Sequence, residues 1–214
     1  MSVHADLKLV ETDDSGVDLA FREDVLRGLS ERQKAIPARW FYDMKGSELF
    51  EEITRLPEYY PTRIETALLE RCGGEIARLV GRNRAIVEFG SGSSVKTPLL
   101  LREVAPAAYV PLDISGDFLR QASADLAEKF PDLPIIPVEA NFMRPVELPA
   151  AVRHLELLGF FPGSTIGNMV PETAIDLLGS MRETLGERSQ LLIGVDRVKA
   201  VDRLVAAYDD AQGI

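Results

Sequence analysis

The sequence predicts an α/β protein built on a doubly wound parallel sheet, with a helical segment in front of it. Three observations carry this prediction. From about residue 81 onward, short apolar runs alternate with amphipathic helical stretches. The intervals between the runs suit right-handed βαβ crossovers. Before residue 81 the apolar period is helical instead. The chain therefore divides into a helical segment over 1–80 and an α/β domain over 81–214.

In the helical segment, Val25, Leu26 and Leu29 share one face, and Leu49, Phe50, Ile53 and Leu56 follow the same period. Between them lies the aromatic cluster Arg39-Trp40-Phe41-Tyr42-Asp43, close to Gly46. A proline-framed turn, Pro57-Glu58-Tyr59-Tyr60-Pro61, comes next. Thr62 with Glu65 reads as a capping box that opens a helix running to about Val80. In the second part, strands are predicted at about 85–89, 108–112, 134–138, 155–161 and 189–195. Helices are predicted at about 95–104, 116–129 and 171–185, with Ser115 a cap for the second and Pro171 in the first turn of the third.

Composition narrows the function. The 214 residues carry 24 basic and 34 acidic side chains, a formal charge of −10, which disfavours nucleic acid and anionic membranes as partners. No apolar run approaches the roughly 18–20 residues of a membrane span, and the polar, acidic start lacks the form of a signal peptide. The single cysteine, Cys72, allows no internal disulfide, and His4 and His154 are too isolated to suggest a metal site. A cytoplasmic protein acting on small molecules is the expectation.

In a doubly wound sheet, ligands sit beyond the carboxyl ends of the strands. Glu88-Phe89-Gly90-Ser91-Gly92 follows the first predicted strand, where glycine lets the backbone approach a ligand and the next helix offers free N–H groups. The dinucleotide fingerprint needs a third glycine where Val95 stands, so the loop suits S-adenosylmethionine (SAM) better than NAD. A tight structural turn would use the same residues. Asp113 follows the second strand, suited to the hydroxyls of a ribose or, alternatively, to a helix start. Asn141 and Phe142 follow the third, offering a polar group and an aromatic edge to an adenine ring, or a plain turn. After the fourth strand, Asn168 ends a Pro162-Gly163-Ser164-Thr165-Ile166-Gly167 approach, where its carbonyl could hold an amine or it could simply cap the next helix.

The segments WFYDMKGSELFEEITRLPEYYPTR, VEFGSGSSVKT, DISGDFL, FPGSTIGNMVPE and LLIGVDRVK…RLVAAYDDAQG together resemble the histidine-specific SAM-dependent methyltransferases, from about residue 20 to the last residue. The resemblance implies a Rossmann-like methyltransferase fold and conversion of L-histidine to its Nα-trimethyl betaine, hercynine, in ergothioneine biosynthesis. It further implies that the 1–80 segment contributes to a substrate lid. By the same resemblance, Tyr42, Gly90, Gly92, Lys96, Asp113, Asn141 and Phe142 are cofactor contacts, with Lys96 neutralising the methionyl carboxylate as a mobile point charge. Tyr59, Asn168 and Tyr208 are implied substrate contacts, Tyr59 and Asn168 lying near the reacting α-amino group. Trp40, Tyr60 and Cys72 are assigned to packing. No histidine or cysteine is placed as a base, so the amine proton is expected to leave to solvent.

Two departures stand out. The family commonly has Asp where this chain has Asn141, which keeps an acceptor oxygen but loses the charge. Family members also continue past AYDDAQG with strands that complete the sheet and with a glutamate and a serine that read the imidazole. The chain is therefore expected to be a fragment or truncated form, with the 189–195 strand an exposed edge open to self-association. Methylation of another amino acid, and SAM binding without catalysis, are the competing expectations.

Overall fold

A computed structural model describes residues 18–41, 43–92 and 96–213. Tyr42 and Val95 lie outside the described residues. The chain forms two compact units, Met1–Asp43 and Met44–Ile214. The division falls earlier than residue 80 because the long helix before the sheet packs against the sheet's own first crossover helix.

The first unit contains α1 (Leu19–Ser30), started by Asp18, whose carboxylate accepts from the Ala20 and Phe21 N–H groups at 2.7 and 3.1 Å. These are two of the donors a helix start leaves unpaired. The buried residue of this helix is Asp24, not one of the predicted apolar set, and Leu26 and Leu29 are exposed. Asp24 is held inside by a polar demand: it accepts from the Trp40 indole N–H at 2.9 Å and pairs with Arg27. Phe21 meets the Trp40 ring edge to face at 5.1 Å, consistent with a packing role for Trp40.

The second unit begins with α2 (Met44–Arg55) and α3 (Tyr60–Val80). It continues as β1 (Arg84–Phe89), α4 (Thr97–Val104), β2 (Ala108–Asp113), α5 (Gly116–Lys129) and β3 (Val138–Glu139). Then come β4 (Glu156–Phe161), α6 (Pro171–Leu185), β5 (Gln190–Ile193) and α7 (Val201–Tyr208). All strand pairs are parallel, in the order β3-β2-β1-β4-β5. The order reverses between β1 and β4, where a doubly wound sheet binds its ligands.

Burial explains the run of β1. Ala85, Val87 and Phe89 face a cluster with Val110, Leu112, Phe161 and the α6 residues Leu177, Met181 and Leu185. Ile86 faces the other way, into a cluster with Leu69 and Val80 of α3, Leu100, Leu101 and Val104 of α4, and Leu158 and Phe160 of β4. A strand covered on both faces reads as continuous apolar sequence rather than alternation.

Two predicted features come out differently. The third strand is reduced to Val138–Glu139 plus an isolated bridge between Tyr109 and Ile135. Pro134 and Pro137 have no N–H, so this segment cannot make a continuous ladder. The Thr62–Glu65 capping box does not form. The helix starts earlier, at Tyr60, with Pro61 in its first turn, and Glu65 is engaged elsewhere. Ser115 does occupy the N-cap of α5, without a side-chain capping bond, and Pro171 opens α6.

β5 lies at one edge of the sheet, with Leu191 exposed. No helix among the described residues is long and apolar enough to cross a membrane.

The unequal burial of two leucines gives a direct check. Leu158→Ala, at 1% exposure, should cost about 2–5 kcal/mol of unfolding free energy in a denaturant titration. Leu79→Ala, at 71% exposure, should stay within about 0.5 kcal/mol of the parent.

Candidate functional site

At the carboxyl end of β1 the backbone turns at Gly90 and Gly92, with φ of +72° and +47°. These left-handed angles favour glycine. A side chain at Gly90 would come within 3.4 Å of the Phe142 ring, and one at Gly92 would meet nothing within 4 Å among the described residues. The Gly90 and Ser91 N–H groups both donate to the Leu112 carbonyl, at 2.9 and 3.1 Å. The Asp113 carboxylate accepts from the Gly92 N–H at 3.1 Å and from the Ser115 N–H at 3.0 Å. The loop is thus sewn to the end of β2, and Gly90, Gly92 and Asp113 converge.

Phe142 joins this group by packing edge to face with Phe89 and Phe161, each at 6.0 Å between ring centres. Its carbonyl accepts from the Ser180 hydroxyl at 3.0 Å. Asn141 is exposed, and its side-chain oxygen accepts from the Met143 N–H at 3.1 Å. That is a local Asx turn, although a carbonyl oxygen keeps a second lone pair for a ligand.

Beneath the loop sits Glu88, fully buried at the end of β1. One carboxyl oxygen accepts from the Thr97 hydroxyl at 2.7 Å and from the Tyr109 hydroxyl at 2.6 Å. Among the described residues, the other oxygen and the Ser91 hydroxyl are buried without a hydrogen-bond partner. Burial pushes the Glu88 carboxyl up to about 7, against the hydrogen bonds from Tyr109 and Thr97 and the charge of Lys96. Burial, then the charge of Glu88, raises the Tyr109 phenol well above its ordinary value.

Lys96 precedes the first residue of α4, and its ammonium meets Glu65 of α3 at 2.6 Å, with the two side chains only 11% and 17% exposed. Both Glu65 oxygens also accept from the Gly163 N–H, at 3.0 and 2.9 Å.

Two of the proposed substrate residues, Tyr59 and Tyr208, meet where α3 begins and α7 ends. Tyr59 ends the proline-framed turn, which Arg63 fastens by donating to the carbonyls of Leu56, Pro57 and Tyr59 at 2.8, 2.6 and 3.3 Å. The Tyr59 ring is buried and meets Phe50 and Tyr208 edge to face, at 6.0 and 5.8 Å. Tyr208, at the end of α7, is exposed. The neighbouring Tyr60 hydroxyl donates to Asp196 and accepts from Lys199 at 2.9 Å, while Lys199 and Arg203 lie over its ring at 4.2 and 4.7 Å. Burial opposes ionisation of Asp196, but hydrogen bonds from Lys199, Tyr60 and the Arg197 N–H hold its carboxyl below the ordinary range.

Asn168 closes a 3-10 turn, Thr165–Asn168, after β4 and is exposed. Its loop is tied to the tyrosine cluster indirectly: the Asp196 N–H donates to the Ser164 hydroxyl at 2.9 Å. The described structure therefore brings Gly90, Gly92, Asp113 and Phe142 together on one side and Tyr59 with Tyr208 on the other. The sequence places Glu88 only as the acid at the head of the glycine loop, reads Glu65 as a helix cap and gives Asp196 no role of its own. Glu88 had a signal, since its place before the glycine loop is where a polar residue enters an apolar strand. Glu65 was hidden by its capping-box spacing, and Asp196 stands in the LLIGVDRVK segment without a pattern that shows its partners.

A left-handed glycine loop, an acid after the second strand and an aromatic edge fit the polar and aromatic parts of an adenosyl cofactor. These features define the class as a Rossmann-like nucleotide-cofactor domain. Consistent with that fold, the chain aligns with a solved magnesium protoporphyrin IX methyltransferase from Synechocystis at a TM-score of 0.51, 11% identity and 70% coverage of each chain.

The chain belongs to the family of histidine-specific, SAM-dependent methyltransferases, whose sequence pattern matches residues 21–214. It is 41% identical over 200 residues to the histidine N-alpha-methyltransferase of Mycolicibacterium smegmatis, across 91% of this chain and 61% of the relative. The histidine N-alpha-methyltransferase of Mycobacterium tuberculosis is 39% identical over 201 residues, across 92% of this chain and 61% of that one.

Folding must hold Glu88 in a site that favours its protonated form. Its contribution to stability is complete below the ordinary value of 4.5 and is lost as pH rises through about 7. Glu88→Gln keeps a carbonyl oxygen for Thr97 and Tyr109 but removes the titration. Denaturant midpoints of the two proteins should therefore shift in favour of the Gln variant as pH is raised across that window. A constant difference would place the titration elsewhere.

Proposed function

We propose that this chain binds SAM and forms part of an enzyme that trimethylates the α-amino group of L-histidine to hercynine, in ergothioneine biosynthesis. The observation that carries the reading is the convergence of Gly90, Gly92, Asp113 and Phe142 at the reversal of strand order, in a chain of this family. When bound, SAM supplies an activated methyl group. The chain's residues supply position and exclude water. Asp113 accepts from the ribose hydroxyls with its remaining lone pairs, Phe142 and Asn141 meet the adenine, and Lys96 holds the methionyl carboxylate. Tyr42, next to Asp43 in the sequence, belongs to the same proposed cofactor set.

On the substrate side, Asn168 and Tyr59 orient the neutral α-amine, and Tyr59 and Tyr208 offer aromatic faces to the fixed positive charge that grows with each transfer. The start of α3, within the 1–80 segment, forms part of the lid through Tyr59. Pairing of the β5 edge with a second copy belongs to the same reading, and light scattering reads it.

Calorimetric titration should show SAM binding tighter than NAD, and the reverse order would sink the cofactor assignment. Asp113→Ala should weaken SAM by about 1.5–3 kcal/mol, the range for a hydrogen bond to a charged group. The activity itself is tested by mass spectrometry of mono-, di- and trimethyl-histidine, on the 214-residue chain and on the same chain extended to the length of its relatives. In the extended protein, Asn168→Ala should depress methyl transfer more than SAM binding. Equal losses would reassign Asn168 to the cofactor or the fold.

A further inference from the structure

Glu65 lies in the middle of a junction that no local motif announces. It stands on the second turn of α3, yet its carboxylate reaches the Gly163 N–H, 98 residues away, and the Lys96 ammonium, 31 residues away. The fit around it is close: a Cβ placed on Gly194, just past β5, would fall 1.8 Å from a Glu65 oxygen, so a larger residue there would force the carboxylate out. Gly194 is itself fixed by its N–H donating to the Phe161 carbonyl at 2.9 Å. The carboxylate is thereby held by the Gly163 N–H beyond β4 and closely lined by Gly194 beyond β5 as it meets Lys96.

Lysine alone is a flexible stem with a strongly hydrated point charge. At 11% side-chain exposure, paired with a carboxylate that is itself fixed, its ammonium commits one of its three donors to Glu65, the one partner it has among the described residues. Glu51 and Glu88 also act on Lys96 through space, so its surroundings are acidic and an unanchored ammonium would have other places to go.

We infer that Glu65 is a positioning residue for the amino-acid end of SAM, holding the Lys96 ammonium where it receives the ligand's carboxylate and locking that point to the Gly163 loop that leads to Asn168. The inference rests on the proposed SAM site. Glu65 touches Lys96 and not the ligand carboxylate, so its influence is confined to ligands that carry an amino-acid end.

The test compares S-adenosylhomocysteine with 5′-methylthioadenosine, which has the same nucleoside but neither carboxylate nor amine. Glu65→Gln preserves size and one acceptor for the Gly163 N–H while removing the charge that holds Lys96. By calorimetry on the 214-residue chain, it should weaken S-adenosylhomocysteine about tenfold or more and leave methylthioadenosine unchanged. Lys96→Met should do the same, and the double variant should lose little beyond either single one, as expected for two residues acting through one contact. Unchanged or tighter binding of S-adenosylhomocysteine by Glu65→Gln overturns the inference. Equal weakening of both ligands also overturns it, because it marks Glu65 as a support of the fold. A parent chain that binds neither ligand instead removes the SAM reading on which the inference stands.

Discussion

Burying a carboxyl group at the end of β1 is the constraint on which the cofactor side of the site depends. β1 is paired on both edges and covered on both faces, so Glu88 has no route to water and draws its hydrogen bonds from protein through one of its two oxygens. Its partners are Tyr109 on β2 and Thr97 in the first turn of α4. Those two bonds fix where α4 begins relative to the sheet. The start of α4 sets the backbone of Lys96, and the segment between β1 and α4 must contain the Gly90–Gly92 turn. An apolar residue at 88 would fill the space but would leave the Tyr109 hydroxyl buried without an acceptor.

The proposed substrate side is assembled by a different kind of bond. Tyr59, Asn168 and Tyr208 lie on three elements far apart in sequence, and Asp196 links all three regions. Its backbone N–H reaches Ser164 in the Asn168 loop, and its carboxylate accepts from Tyr60, the neighbour of Tyr59. With Lys199 it also secures the segment that leads into α7 and Tyr208. A small buried cluster of Leu56, Tyr59, Tyr60 and Ala207 supplies the apolar backing. The aromatic pair is therefore positioned by one polar node and one apolar patch rather than by the sheet.

How much of this was legible follows from those two modes. β1, β2 and β4 are readable because burial on both faces leaves a continuous apolar run, and Pro171 marks the start of α6 by itself. The third strand misleads because PIIPV looks like a strand by hydrophobicity while its two prolines remove the donors a ladder needs. Gly90, Gly92 and Asp113 were readable because strand ends and loop chemistry coincide in sequence. Glu65 was misread for an instructive reason: Thr-x-x-Glu has the spacing of a cap, but the helix already starts at Tyr60 and the carboxylate gains more from a backbone N–H and an ammonium in a partly dehydrated site. Asp196 carried no signal, because its partners are set by topology alone.

The two modes meet at Glu65. The proposed cofactor side is fixed from below by Glu88 and the sheet, and the proposed substrate side is fixed laterally by Asp196. Lys96 and the Gly163 loop are the places where these halves adjoin, and one carboxylate bonds to both. Methyl transfer demands that donor and acceptor be held in line, so an error in the relative placement of the halves costs more than the same error within either one. The clusters around β1 and around Tyr59 are separate, with α3 contributing to both. A short, charge-assisted contact between fixed partners adds to what that helix provides, because its strength falls off steeply with displacement and its geometry admits few alternatives.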